Sequence, residues 1–359
     1  MATQHPTIGI NRLPHLMVLE PEITKLVIGF PGDGKTSSQK TIKKIHGDEF
    51  IYVYLDCPSV VVQDMGMTMP VPEEKTLEWW VNETIFKIKQ AKANGQKLCI
   101  MLDEVLKASK MVKLLLTRLM LERTLGAETL PEGSVIYGTS NDPRMGIGDT
   151  MEQHLGNRLC LYYLRKVTVD EYLEYKGADI DPVLHGLLST EASDCLVDTT
   201  KDSYKDNAMS INFNQPPRQS VTPRSLCAVN KVFKNRVKYG EDLQATIAGL
   251  CGVHFASLSE AFVNVADKVY SFDEVMADPK GVDLPENPTI SIIQTSALAI
   301  RVETEEEWTK CWDYVERLDK TNKEIGNLFK LRMMKDKKQL FLSDGRAKAW
   351  VRDNRDLII

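Results

Sequence analysis

The chain has 359 residues, of which 45 are basic and 50 acidic, giving a net charge of -5. This length predicts two or three domains, and 43% hydrophobic residues suffice to build their cores. The acidic excess disfavours an extended nucleic-acid footprint, because proteins that coat DNA or RNA are usually basic.

The N-terminus and the apolar runs argue against export and membrane insertion. No run approaches the roughly 20 apolar residues of a membrane span, and the first residues lack a signal-peptide pattern. The seven cysteines are scattered and never spaced CxxC. We therefore predict a reduced, cytoplasmic protein with no disulfide frame, zinc site or membrane segment.

Apolar runs predict five strands, at 24–29, 50–55, 97–102, 134–139 and 159–164. Most runs are continuous, as is typical of parallel strands covered on both faces. Helical patterns lie between them, at 35–46, 76–93 and 105–125. The alternation predicts an α/β domain over residues 1–165, with three αβα layers and a five-stranded parallel sheet.

The rest of the chain is predicted to be mostly helical. Helical patterns cover 168–188, 223–238 and 241–268, and a polar stretch occupies 189–222. A linker with Pro and Gly at 277–289 precedes the last segment. We therefore predict a second domain at 166–268 and a mostly helical C-terminal extension at 269–359.

The stretch "LVIGFPGDGKTSSQK", residues 26–40, matches the pattern GxxxxGK[ST]. In this pattern the backbone N–H groups cradle phosphates, the lysine reaches the β/γ-phosphates and the threonine hydroxyl coordinates Mg²⁺. The following helix directs its positive end towards the same anion. An accidental glycine-rich turn is the alternative, which the apolar strand before the loop disfavours. The predicted nucleotide-binding residues are Gly29, Pro31, Gly32, Asp33, Gly34, Lys35, Thr36 and Ser37.

Two further strands end in polar residues that suit a nucleotide site. "KLCIMLDE" ends in Asp103, which could hold Mg²⁺ together with Thr36, and Glu104, which could orient and deprotonate water. "SVIYGTSND" carries Asn141, whose amide could hydrogen-bond the attacking water and the γ-phosphate. The alternatives are a strand running into a loop and an ordinary Asn-Asp turn.

Together, "GFPGDGKT", "LDE", "GTSND", "LGNR" and "TPRSL" resemble the motifs of AAA+ ATPases. The closest likeness is to the MoxR-like branch in phage and bacterial genomes, through "LDEVLKASKMVKLLLTRLMLERTLGAETLPEGSVIYGTSN". The resemblance covers about residues 20–265, although "DEVLKA" stands where "DEINRA" is common. It implies ATP and Mg²⁺ as ligands, a helical lid at 166–268 and a ring of six subunits.

The resemblance also implies roles for two arginines. Arg158, before the fifth strand, would contact the γ-phosphate bound by a neighbouring subunit, and guanidinium suits that role because it is planar and always charged. Arg224 would report nucleotide state from the lid. A solvated surface arginine is the alternative for each, and three other residues compete for the first role: Arg118, Arg123 and Arg144.

Three other stretches leave alternatives open. Residues 56–72, rich in methionine near Gly66, would face the ring's pore or a substrate, or pack on their own helix. Residues 308–329 predict one helical seam, for core packing or an intersubunit coil, in which Asn322 could fix register. The basic stretches 230–238 and 330–338 are solvated helix faces or a nucleic-acid path.

The expected function is a cytoplasmic ATPase that remodels a protein partner as a ring. By resemblance, the partner could carry a von Willebrand A domain, and no such domain lies in this chain. A DNA-directed motor or loader is the first alternative, and strongly salt-dependent DNA affinity would favour it. A small-molecule kinase is the second, disfavoured by the Asp-Glu pair and by Asn141.

Overall fold

The computed structural model describes residues 6–62, 67–74, 76–80, 83–142, 157–199, 201–211 and 218–358. The chain divides into two compact units, Met1–Val167 and Thr168–Ile359. The first boundary lies close to the one expected at residue 165. The separate division expected at residue 268 stays a prediction.

A parallel sheet lies at the centre of the first unit, accompanied by two small antiparallel pairs. The strands are β1 (Thr7–Ile8), β2 (Lys25–Gly29), β3 (Phe50–Asp56), β4 (Met67–Val71), β5 (Thr76–Trp80), β6 (Lys97–Asp103), β7 (Thr124–Leu125), β8 (Glu128–Thr129), β9 (Val135–Asn141) and β10 (Cys160–Leu164). The parallel sheet has the order β1-β10-β2-β9-β6-β3. All five predicted strands are confirmed, but the predicted sheet of five is wrong, because β1 adds a sixth strand beside β10.

Helices cover both faces of this sheet. They are α1 (Leu13–Val18), α2 (Ser38–His46), α3 (Glu83–Asn94) and α4 (Lys110–Glu122). Side chains of α1 and α2 share a buried cluster with Val27 and Cys99. Side chains of α3 and α4 share another with Leu26 and Ile100, from the alternate positions of the same strands. Since successive strand residues point to opposite faces, the three-layer arrangement follows directly.

Two predicted helices of this unit are shorter than expected. Residues 76–80 form β5, paired antiparallel with β4, so the helix predicted from 76 begins only at Glu83. Aromatic and β-branched residues such as Thr76 and Trp79 favour strands, although the apolar spacing suggested a helix. The helix predicted over 105–125 begins at Lys110, where Ser109 caps it, and ends before Arg123, which has φ 58°.

The regular secondary structure of the second unit is helical within its described residues, apart from one isolated bridge between Ser210 and Val221. Its helices are α5 (Val169–Lys176), α6 (Pro182–Ser189), α7 (Pro223–Lys234), α8 (Leu243–Cys251), α9 (Val253–Val263), α10 (Phe272–Ala277), α11 (Pro288–Arg301), α12 (Glu305–Asp319), α13 (Lys323–Asp336), α14 (Lys338–Phe341) and α15 (Gly345–Asp353). Within the described ranges, no helix combines the length and apolar character that crossing a membrane requires.

Local breaks divide two predicted helices of this unit. The pattern at 168–188 is split by the Asp181 cap and Pro182, which starts α6. The pattern at 241–268 is split at Gly252, whose φ of 91° lies outside the helical range.

The predicted C-terminal seam is also two helices, α12 and α13. Asn322 is the N-cap of α13 and accepts a hydrogen bond from the Ile325 amide at 3.3 Å. The register role considered for Asn322 is therefore wrong. The apolar seam residues are buried within this chain, which supports core packing over an intersubunit coil. They are Trp308, Cys311, Val315, Leu318, Ile325 and Phe329.

Candidate functional site

Three neighbouring strands bring the predicted site residues to one edge of the sheet. Strand β9 lies between β2 and β6, and Gly29 is paired with Asn141 across the β2–β9 ladder. Ligands of open parallel sheets bind outside the carboxyl ends of the strands. The loop after β2, the Asp103–Glu104 pair and Asn141 all lie at that edge.

The loop after β2 is shaped by glycine and leads into a buried lysine. Gly34 has φ 90°, a conformation that side-chain-bearing residues rarely adopt. A Cβ at Gly34 would meet no atom within 4 Å, so the backbone angle explains the glycine and crowding does not. A 3₁₀ turn, Lys35–Ser37, follows and continues into α2. This is the strand–loop–helix context that the phosphate-binding motif requires.

The Lys35 ammonium lies inside this loop and is only 5% exposed. Its Nζ donates to the Gly29 carbonyl at 3.0 Å, the Phe30 carbonyl at 2.8 Å and Asn141 Oδ1 at 3.0 Å. Burial lowers the pKa of Lys35 to about 8, although Glu104, Asp33 and Asp103 oppose the shift. A triphosphate would supply the compensating negative charge that these neutral oxygens lack.

Thr36 and Asp103, the predicted metal ligands, are in direct contact. Thr36 Oγ1 donates to Asp103 Oδ2 at 2.8 Å. Tyr54 donates to the same oxygen at 3.0 Å, and the Thr139 hydroxyl donates to Oδ1. Three hydroxyl groups thus fix the carboxylate at the end of β6.

This oxygen-donor set fits Mg²⁺, which is usually held by one or two protein oxygens together with waters and substrate phosphates. Across the described ranges, no cluster of three or more His, Cys, Asp or Glu residues could hold a metal by itself.

Glu104 has a constrained backbone and two polar partners. Its φ of 52° is uncommon for a residue other than glycine, and its amide donates to Thr139 Oγ1 at 3.2 Å. Glu104 Oε2 accepts from Asn141 Nδ2 at 3.1 Å and lies 2.9 Å from Lys107 Nζ. Strained backbone conformations of this kind concentrate at functional sites. The contact with Glu104 also places Lys107 beside the Asp103–Glu104 pair.

A buried ion pair beneath the loop was not predicted. Lys166 Nζ lies 3.1 Å from Asp33 Oδ1, and the two side chains are 5% and 0% exposed. The ammonium also lies 4.9 Å from the centre of the Phe30 ring. Burial raises the pKa of Asp33 even though Lys166 opposes the shift. The only sequence signal was a lysine just after the fifth strand.

Of the two predicted arginines, only Arg158 belongs to the unit that holds this cluster, and it makes no contact with the cluster among the described residues. Arg158 and Arg224 are exposed, and Arg224 belongs to the second unit. Among the competing residues, Arg118 pairs with Glu122 at 2.8 Å. Arg123 donates to the carbonyls of Pro21 and Ser134, which makes it part of the framework. The remaining competitor, Arg144, lies outside the described residues.

Of the stretch 56–72, residues 63–66 lie outside the described residues. Its end forms β4 of an antiparallel hairpin, whereas a loop was expected. The pairing of these strands does not test whether residues 56–72 face a pore or pack on their own helix, so both roles stay predictions.

The two basic stretches are largely engaged within the chain. Lys330 is 2% exposed and pairs with Asp319, so the expectation that 330–338 is a solvated face is wrong at this residue. Its ammonium also lies 5.2 Å from the Trp312 ring centre, which provides a cation–π contact. In 230–238, Lys234 lies 2.5 Å from Asp179. These pairings reduce the charge available to a phosphate backbone.

Comparisons with known proteins add little to this geometry. No family model matches the sequence, and neither does any curated protein. Solved structures that this chain matches include a RuvB mutant from Thermotoga maritima, at 14% identity, covering 75% of each chain with a TM-score of 0.37. The match to PCH-2 from C. elegans has 12% identity and a TM-score of 0.34, and it covers 72% of this chain and 67% of the PCH-2 chain. The match to NtrX from Brucella abortus has 12% identity and a TM-score of 0.34, and it covers 94% of this chain and 69% of the NtrX chain. At these values the similarity does not distinguish one function from another, and the assignment rests on the residues of the site.

Proposed function

We propose that this protein is an AAA+-type ATPase that binds ATP with Mg²⁺ at the carboxyl edge of its parallel sheet and hydrolyses it. The observation that supports this most strongly is the meeting of three separately predicted motifs at one edge. Lys35 contacts Asn141, Thr36 contacts Asp103, and Asn141 contacts Glu104. A chance glycine-rich turn would not bring these residues together.

Each residue has a role that its position supports. Lys35 and the loop amides bind the phosphates, and Thr36 with Asp103 holds the metal. Bound Mg²⁺ neutralises charge on the phosphate oxygens. Glu104 then accepts the proton of the attacking water, and Asn141 orients that water through its amide.

Glu104 has to exchange a partner before it can act as this base. Its Oε2 lies 2.9 Å from the Lys107 ammonium and accepts a hydrogen bond from Asn141 Nδ2, so both contacts occupy the oxygen that would take the proton of the water. Moving Lys107 away would leave Glu104 with Asn141 and with the water. This side-chain exchange is a step that binding of the nucleotide can drive.

The finer parts of the proposal come from the resemblance to the MoxR-like branch. We propose a ring, with six subunits as the expected number, in which Arg158 acts on a neighbour's ATP and Arg224 acts from the helical lid. Both arginine side chains are exposed, which leaves each of them available for such a contact. The cycle would remodel a protein partner, for which a protein with a von Willebrand A domain is one candidate. The internal pairing of the basic stretches gives no support to the DNA-directed alternative.

Steady-state ATP hydrolysis by the full chain tests the proposal, with the variant Glu104→Gln. Wild type should hydrolyse ATP only with Mg²⁺, and the variant should bind ATP but lose turnover, because an amide cannot accept the proton. Glu122→Gln makes the same change at an exposed position of α4 and should leave turnover unchanged. Turnover of Glu104→Gln at the wild-type rate would refute the assignment of the base.

The same variant can identify the remodelled partner. Glu104→Gln protein loaded with ATP should hold its partner, because the cycle stops before release. Partners recovered with this variant but absent with Lys35→Ala protein would be those bound in the ATP state. Recovery of DNA in place of protein would favour the motor or loader.

A further inference from the structure

The second unit contains a cavity of about 310 Å³, near the lower end of the range of small-molecule pockets. Helices α6, α11 and α13 form most of its wall, and the start of α5 completes it. Much of the lining is apolar. The apolar lining residues are Val169, Leu188, Ile292, Ala299, Leu328, Phe329 and Leu331.

Two polar atoms in the wall have no hydrogen-bond partner among the residues that the structure describes. His185 lines the cavity, is 6% exposed, and its Nδ1 forms no hydrogen bond. Ser189, one turn later on α6, also lines the cavity, and its buried Oγ forms none either. Buried polar groups are nearly always hydrogen-bonded in folded proteins. Two such groups beside one cavity provide two hydrogen-bonding positions for a ligand.

The charged residues of the wall favour an anion. Arg332 and Lys335 line the cavity, and Asp170 is the one acidic residue of the wall. Asp170 lies 3.4 Å from Arg332 and 2.6 Å from Lys335, but its side chain is 58% exposed. Such a solvent-screened pair is weak. Arg332 also pairs with Asp336 at 2.5 Å, outside the wall, so a ligand anion would replace Asp170 and leave the pair with Asp336 in place.

His185 adds a neutral polar group to this wall. Burial lowers its pKa to about 3, with Arg332 contributing in the same direction. At neutral pH the imidazole is therefore uncharged and can accept or donate one hydrogen bond at Nδ1.

We propose that this cavity binds a small organic anion, with its charged group at Arg332 and Lys335 and a polar atom bonded to His185. The apolar body of the ligand would lie against the leucine, isoleucine and phenylalanine side chains of the wall. This site belongs to the second unit, and the proposal does not depend on the ATPase assignment.

Three probes of one chain length test the ligand class: hexanoate, hexanamide and hexylamine. Titration calorimetry on the full chain should show saturable binding of hexanoate, about tenfold or more tighter than hexanamide, because the charged group adds charge-assisted hydrogen bonds. Hexylamine should bind most weakly. Equal affinities for all three, or no saturable binding of hexanoate, would overturn the proposal.

Variants of the wall locate the binding. Ala299→Leu fills the cavity and should abolish hexanoate binding. Lys335→Gln, at a half-exposed position that folding tolerates, should weaken hexanoate by about threefold and leave hexanamide unchanged. Lys348→Gln, on α15 outside the wall, is the matched control and should leave both affinities unchanged. Hexanoate binding that is unaffected by Ala299→Leu and by Lys335→Gln would place the ligand elsewhere and refute the site.

Ser189→Ala separates a ligand site from a merely hydrated cavity. Removing an orphaned buried hydroxyl should raise the melting temperature by about 2–4 °C while weakening the binding of a probe that carries a hydroxyl, 6-hydroxyhexanoate. A lowered melting temperature together with unchanged probe affinity would show that ordered water satisfies Ser189, and would contradict its role in binding.

Discussion

At the scale of single residues, the loop after β2 contains a cation in an unfavourable position. Lys35 is buried, and its hydrogen-bond partners are two carbonyls and one amide, none of which carries a full charge. A residue that binds a highly charged ligand commonly reduces the stability of the free protein. The lowered pKa of Lys35 reflects the free-energy cost of burying its ammonium group, so this cost can be measured as a dependence of stability on pH.

Lys35→Met should stabilise the nucleotide-free protein. The pKa of Lys35 falls from 10.5 to about 8 on burial, which corresponds to about 3 kcal/mol. Between these two pH values the unfolded chain binds more protons than the folded chain, so the contribution of Lys35 to stability rises with pH. The advantage of the variant should therefore be greatest below pH 8 and vanish towards pH 10.5.

Urea unfolding at pH 7 and pH 10 measures this difference. Lys44→Met, at an exposed position of α2, is the control and should change stability by less than about 0.5 kcal/mol. MgATP should stabilise wild type by mass action and leave Lys35→Met unchanged. A variant less stable than wild type at pH 7 would contradict the argument.

Lys166→Met should destabilise the first unit by about 3–5 kcal/mol, because it leaves the buried Asp33 carboxylate without its cation. The double variant Asp33→Asn with Lys166→Met removes both charges and should recover most of this loss. Chemical denaturation of the three variants measures the coupling. Lys92→Met breaks an exposed pair with Glu128 and should cost at most about 1 kcal/mol. Equal losses in the single and double variants would show that packing, and not charge, explains the effect.

At the scale of elements, the sequence predicted strands better than helix ends. The five long strands are continuous apolar runs, and burial on both faces explains why such runs were reliable. The errors occur where a local feature interrupts an apolar spacing. Asn322 caps a new helix inside a seam, and the residues from Thr76 pair with a neighbouring strand that periodicity cannot reveal.

The same distinction applies to the site. Lys35, Thr36 and Asp103 could be predicted because their motifs are local in sequence. Tyr54 and Lys166 could not, because each reaches its carboxylate only after the sheet has formed: Tyr54 contacts Asp103 and Lys166 contacts Asp33. Nothing near either residue in the sequence indicates these partners.

Gly252 separates α8 from α9, and its replacement should be costly. It has φ 91°, and a Cβ there would lie 2.8 Å from the Gln219 carbonyl oxygen. Gly252→Ala should therefore lower the unfolding free energy of the second unit by about 2 kcal/mol or more, from backbone strain and the backbone contact. Thermal unfolding measures the loss.

Gly249→Ala is the matched control three residues earlier. Gly249 lies inside α8, and a Cβ there meets nothing within 4 Å. Alanine should stabilise that helix by about 0.5–1 kcal/mol. Changes of the same sign in both variants would contradict the assignment of Gly252 as a helix break that requires glycine.

At the scale of the whole molecule, the proposed ring gives the exposed Arg158 a role at the nucleotide of a neighbouring subunit. The first unit brings together the loop, the acidic pair and Asn141, whereas Arg158 is exposed. We expect ATP to promote assembly, because Arg158 of a second subunit would bring a cation to the bound nucleotide. Mass measurement with and without nucleotide tests this expectation. A strict monomer at micromolar concentration under every nucleotide condition would contradict the ring.

Arg158 should act on a neighbour's ATP and not on its own. Arg158→Ala should keep nucleotide binding, since the loop amides and Lys35 provide most of the phosphate contacts, and should lose about 10³-fold or more in turnover. Arg118→Ala, which removes another exposed arginine of the same unit, should leave turnover unchanged.

Lys35→Ala should be inactive but should retain its arginine. Mixing Arg158→Ala with Lys35→Ala creates interfaces that combine an intact phosphate site from one chain with an intact arginine from the other. Recovery of hydrolysis on mixing is the expected result, because only action between subunits can complement the two defects. Co-assembly without recovery would refute action in trans by Arg158 and would shift attention to Arg144.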